Sequence, residues 1–165
     1  MFHLRHLLAC TALACSAAYG GPSIVPDHAA PLIGTIVGIA DGDTLTLLDA
    51  NFTQHKIRLA YIDAPENSQA FGEASKKSLA EMAYSRQAKA YCPSIDRYQR
   101  RVCEVVIEGK NVNTTQVERG MAWMHTAYAP KNSPLLIAQE KAKLDKTGLW
   151  QDPNPVAPWD FRRKK

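Results

Sequence analysis

Four carboxylates and two arginines stand out by type and order: Asp41, Asp43, Arg58, Asp63, Glu66 and Arg100. Carboxylates hold a hard divalent cation through oxygen, and a guanidinium forks two hydrogen bonds onto phosphate oxygens. Phosphodiester hydrolysis needs these parts, because charge gathers on the phosphate oxygens in the transition state and the diester repels incoming hydroxide. Each piece also has a plain structural reading. Asp41-Gly42-Asp43-Thr44 is a good turn, Arg58 on a strand suits a surface ion pair of little worth, and Asp63-Ala-Pro-Glu66 could simply end a strand. Their joint occurrence is harder to set aside than any one of them.

The elements that must position these groups follow from periodicity. Leu32 to Ile39 is an apolar, β-branched strand interrupted by Gly34 and Gly38, which leaves room for a bulge or a close backbone approach. Thr44 to Leu48 alternates threonine with leucine as a second strand, joined to the first by the Asp41–Asp43 turn. The stretch Ile57 to Glu66, IRLAYIDAPE, reads as a strand that stops where the acids begin, with Pro65 barring a further sheet bond. Glu73 to Ala88 has helical spacing. Gln87 to Cys92 and Val102 to Ile107 are two more strands around the charged loop PSIDRYQR. A short helix spans Val112 to Arg119 and closes at Gly120; a last one opens at Ser133 with Pro134 in its first turn and runs to Gly148. Five short strands with helices after the third and fifth predict a small α+β domain on a twisted antiparallel barrel.

Composition sets the frame. At 45% hydrophobic and 22% charged over 165 residues, the chain is ordinary globular material for one domain, and a second is not expected. The formal charge of +4 suits a polyanionic partner but decides little alone. Residues 1–20, basic then apolar then small, have the layout of a secretory signal peptide, too short in its apolar run for a stable membrane span; lipid attachment at Cys10 or Cys15 is the weaker alternative. Export leaves Cys92 and Cys103, for which a disulfide is the economical reading and two buried free thiols the alternative. Residues 21–31 form an extended lead-in, 32–151 the domain, and 152–165 a proline-rich basic tail expected to wrap the surface or stay mobile. His55 and His125 are isolated, and the cysteines lack metal-ligand spacing, so zinc is not expected.

The ordered set DGDT at 41–44, IRLAYIDAPE at 57–66 and DRYQR at 96–100, continued by GMAW at 120–123, Tyr128-Ala-Pro and TGLW at 147–150, resembles the thermonuclease, or staphylococcal nuclease-like, family. The resemblance runs from about Leu32 to Trp150. It implies a five-stranded OB-fold β-barrel with three α-helices and calcium-dependent cleavage of DNA and RNA. By motif position it implies Asp43, Asp63 and the backbone carbonyl of Ala64 as calcium ligands, with Asp41 in the outer shell. Arg58 and Arg100 would clamp phosphate, Glu66 would serve as the general base, and Arg97, Tyr98 and Tyr128 would contact nucleotide. Gln99 stands where the family usually has glycine, Ala64 where it often has threonine, and Thr126 where the best-known member has a tyrosine. The rival readings are a catalytically inactive OB-fold module that binds single strands or a protein partner, and a disulfide-stabilised envelope protein. The expectation is a monomer, exported to the periplasm or secreted.

Overall fold

The structure, a computed structural model, describes residues 30–164; the leader, Cys10, Cys15 and most of the lead-in lie outside the described residues. Alternation builds the barrel. On β2 (Thr44–Asp49), Leu45 and Leu47 point inward; on β3 (Gln54–Leu59), Ile57 and Leu59 do, and all four are fully buried. Ile36 on β1 (Leu32–Ile39) and Val105 on the strand at Arg101–Ile107 join them. A fully buried side chain of this size contributes roughly 1.5–3 kcal/mol, and these six share one core with Leu79 and Val117 from the helices.

A two-residue strand β4 (Ile62–Asp63) follows β3, and β5 (Gln87–Ile95), β6 (Arg101–Ile107) and β7 (Lys110–Asn111) complete a sheet ordered β3-β2-β1-β5-β6-β7. It closes because β3 also pairs with β6, Ile57 opposite Arg101 and Leu59 opposite Cys103. This is the expected five-stranded barrel of long strands, with one correction: the closing pair runs parallel, so the barrel is mixed rather than wholly antiparallel. Both glycines of β1 act as their residue type suggests. The register slips between Ile36 and Gly38, and a side chain at Gly34 would overlap the Leu48 carbonyl across the pair.

Helix α1 (Gly72–Ala83) covers the barrel through Leu79 and Ala83. It stops five residues short of the expected end, because Ser85 takes a left-handed backbone (φ 60°) and its N–H donates to the Ile36 carbonyl. Helix α2 (Val112–Glu118) is capped by Asn111, whose side chain accepts from the Thr114 N–H. A short strand β8 (Trp123–Met124) pairs with β4. Helix α3 (Pro134–Leu144) starts as its Ser133-Pro134 signal implies, with the Ser133 hydroxyl accepting from Leu135 N–H, and a 3-10 turn at Gly148–Gln151 follows it.

The tail is a second correction. Instead of only wrapping the surface, it forms a fourth helix, α4 (Pro158–Arg163), opened by proline and anchored by buried Ala157 and Pro158. Trp159 lies edge-on to Trp123 at 5.8 Å and 5.1 Å from the His125 ring. Cys92 and Cys103 are joined as a disulfide between β5 and β6. Among the described residues no helix is long and apolar enough to cross a membrane.

Candidate active site

The strand expected to run into the acids breaks before them. Tyr61 sits at φ 65°, in the left-handed region, so β3 ends at Leu59 and the chain restarts as β4. The break brings Asp63 beside the β1–β2 turn and faces both towards Arg58.

Asp43 is the buried centre of that turn. Its Oδ2 accepts from the Ala64 N–H at 2.7 Å and meets Arg58 Nη1 at 3.1 Å, while its Oδ1 accepts from the Thr44 hydroxyl at 3.1 Å. Asp41 Oδ1 accepts from the Asp43 N–H and so tightens the turn. Arg58 donates Nη2 to Asp63 Oδ1 at 2.9 Å and Nη1 to the Leu59 carbonyl at 3.0 Å. Arg100 arrives from the β5–β6 loop: its Nη1 donates to Thr44 Oγ1 at 3.3 Å and its Nε to Asp96 Oδ2 at 2.8 Å. A continuous path thus runs from Arg100 through Thr44 to Asp43 and Arg58.

The loop carrying Arg100 forms without the glycine. Gln99 adopts φ 62°, Asp96 Oδ1 accepts from both the Tyr98 and Arg100 N–H groups at 2.9 Å, and the Gln99 N–H returns to the Asp96 carbonyl. These bonds hold a non-glycine residue in a region that costs about 1 kcal/mol. Tyr98 is exposed, with the Arg97 and Arg100 guanidinium groups 4.9 and 5.4 Å from its ring centre. Tyr128 is exposed too and lies 4.6 Å from the His125 ring. Burial lowers the His125 pKa.

The electrostatics favour a cation. Burial, with Arg58 opposing and Asp41 adding to it, pushes the Asp43 carboxyl up to about 7. Burial thus outweighs the Arg58 charge at this carboxyl, and an all-oxygen donor set suits a hard ion. The side chains are not gathered as ligands, however. Among the described residues, no three His, Cys, Asp or Glu side chains converge as a group able to hold a metal ion. Asp63 and Glu66 turn instead towards Arg162 of α4, which donates Nη2 to Asp63 Oδ2 at 2.6 Å and Nη1 to Glu66 Oε1 at 2.7 Å.

Sequence reasoning missed two residues here. Arg162 passed as part of a solvated basic tail, although Pro158 at the helix start, Asp160 in the first turn and Arg162 and Arg163 in the last are the signals of a short helix. Gln116 is the other. It is fully buried on α2, with Nε2 donating at 2.9 Å to the carbonyls of Gly42 and Ser75 and Oε1 accepting from the Ser78 hydroxyl, so it pins the acid-bearing turn to α1. A polar residue on the inward stripe of α2, beside Val112, Asn113 and Val117, was its signal.

The profile of the Staphylococcal nuclease homologue family matches residues 56–152. A protein of Haemophilus influenzae named as an uncharacterized endonuclease is 43% identical over 131 residues, covering 79% of this chain and 72% of the relative. The micrococcal nuclease of Shigella flexneri is 34% identical over 140 residues, 79% of this chain and 80% of its own. Protein ParB of Escherichia coli is 36% identical over 145 residues, 82% and 81% respectively. The profile spans more than half of the chain, and these relatives match more than two thirds of it at over 30% identity: the chain belongs to the staphylococcal nuclease family.

Proposed function

We propose that this protein is an exported, calcium-dependent nuclease that hydrolyses phosphodiester bonds of DNA and RNA. One observation carries the reading: Arg58 and Arg100, from distant segments, are linked through Thr44 to the buried Asp43, next to Asp63 and Glu66. Calcium would be held by Asp43, Asp63 and the Ala64 carbonyl, with Asp41 in the outer shell, and would supply charge for a phosphate oxygen when bound. Arg58 and Arg100 fork onto the remaining phosphate oxygens and stabilise the charge that develops there. Glu66, half-exposed at the rim, orients a water for attack and takes its proton. The exposed rings of Tyr98 and Tyr128, with Arg97, contact the nucleotide.

Action as a monomer is part of the same proposal. Export is inferred from the leader-like residues 1–20 and supported by the Cys92–Cys103 bridge, a bond favoured in oxidising compartments. The test is digestion of plasmid DNA and of RNA by the purified chain with calcium or with a chelator. Cleavage of both that needs calcium is expected. Cleavage that persists in chelator overturns the metal reading, and salt-sensitive binding without cleavage makes the chain a binding module.

A further inference from the structure

Asp63, which the nuclease reading assigns to a cation, and Glu66 beside it already have a cation built into the chain. Arg162 approaches from α4, 99 residues after Asp63, and spans both oxygens of that carboxylate: Nη2 to Oδ2 at 2.6 Å and Nη1 to Oδ1 at 3.3 Å. The same Nη1 donates to Glu66 Oε1 at 2.7 Å. The Asp63 side chain is 2% exposed and that of Arg162 45%, so the guanidinium lies on the solvent side of Asp63, while Glu66 keeps 39% exposure at the rim. The helix that delivers it is seated: Trp159 packs on Trp123 and His125, and Gln69 Nε2 donates to the Val156 carbonyl at 2.6 Å.

Arg58 takes the other approach to Asp63 Oδ1, and Asp43 spends its oxygens on Arg58, Ala64 and Thr44. Both Asp63 oxygens then meet a guanidinium: Oδ1 takes Arg58 and Arg162, and Oδ2 takes Arg162. A guanidinium matches a carboxylate in shape, but it spreads one charge over a plane and cannot take several oxygen ligands around it as calcium does. It can neutralise these acids without replacing the ion's chemistry.

We propose that Arg162 is a tethered occupant of the metal position: it holds Asp63 and Glu66 in the metal-free chain, and a divalent cation must displace it from Asp63 to bind. The proposal rests on the nuclease reading for the presence of that cation. Occupancy by Arg162 lowers the fraction of molecules able to bind calcium and weakens the apparent affinity by the same factor.

Calcium titration by calorimetry, without nucleic acid, compares the full chain with Arg162→Ala, Arg162→Lys and Arg163→Ala. Arg163 pairs with Asp160 on the same helix and removes the same charge without touching the acids. Arg162→Ala is expected to bind calcium about tenfold tighter, Arg162→Lys to fall between it and the unmodified chain, and Arg163→Ala to match the unmodified chain. Thermal melts establish that each variant is folded, and Arg162→Lys keeps the comparison open if the alanine variant is not. Equal or weaker calcium binding by Arg162→Ala, or an equal gain in Arg163→Ala, overturns the proposal and leaves the calcium reading standing. If neither the unmodified chain nor Arg162→Ala binds calcium, both fall together.

Discussion

Gln116→Leu isolates what positions the acid turn. Leucine is apolar and only a little larger than glutamine, so at this fully buried site the change removes hydrogen bonds without opening a cavity. It deprives the Gly42 carbonyl of its Gln116 donor and the Ser78 hydroxyl of its acceptor. Each buried polar group left unsatisfied costs about 1–3 kcal/mol, so the loss should reach about 2–6 kcal/mol, a large share of the ~5–15 kcal/mol typical of a domain. Urea denaturation followed by fluorescence reads this as a lower midpoint at unchanged slope. The folded fraction should also bind calcium more weakly, since Gly42 lies between Asp41 and Asp43. A stability loss below ~1 kcal/mol would refute the burial argument. A full loss with unchanged calcium affinity would show that Gln116 supports the core but does not place the acids.

Gly42→Ala attacks the same turn from the other side: a Cβ there would overlap Ser75 Oγ and come within 2.8 Å of the Ala64 Cβ, so a loss of about 1–3 kcal/mol with weakened calcium binding is expected from urea melts and calorimetry. Replacing Cys92 and Cys103 by serine should lower stability by somewhat under ~3 kcal/mol, given a sequence separation of 11, and alkylation of the unmodified, unreduced chain should find neither thiol. Burial raises the pKa of Glu104, with its bond from Asn111 Nδ2 opposing. The charged form therefore weakens the fold once the pH rises through the folded pKa, and this cost vanishes below the unfolded value of 4.5. Glu104→Gln should accordingly melt higher than the unmodified chain at about pH 8, with the difference closing by about pH 4; a constant difference would contradict this.

Local chemistry made most of the barrel legible. Thr-Leu alternation on β2, glycines on β1 and the Ser133-Pro134 cap each encode a feature within a few residues, and each is found where its residues stand. The parallel closure of β3 on β6 has no such signal, since it depends on where α1 and β5 carry the chain between them. Tyr61, Ser85 and Gln99 take left-handed backbones without being glycine or asparagine; tertiary hydrogen bonds such as Ser85 N–H to Ile36 impose what propensity disfavours. At the site, the acids and arginines were legible by type and order, and the structure sets Arg58 against Asp43 and Asp63 and Arg100 against Thr44. Arg162 was not, because a charged residue in a proline-rich tail has the solvated surface as its default, and only the docking of Trp159 shows otherwise.

Arg58 and Arg100 are proposed to act on the same phosphate as the Asp43 and Asp63 acids. The most direct measurement is the single-turnover cleavage rate of a DNA oligonucleotide at saturating calcium, unmodified chain against Arg100→Ala, with folding verified by thermal melting. Loss of a preorganised donor to the transition state predicts a rate lower by about 10²- to 10³-fold. An unchanged rate would contradict the account.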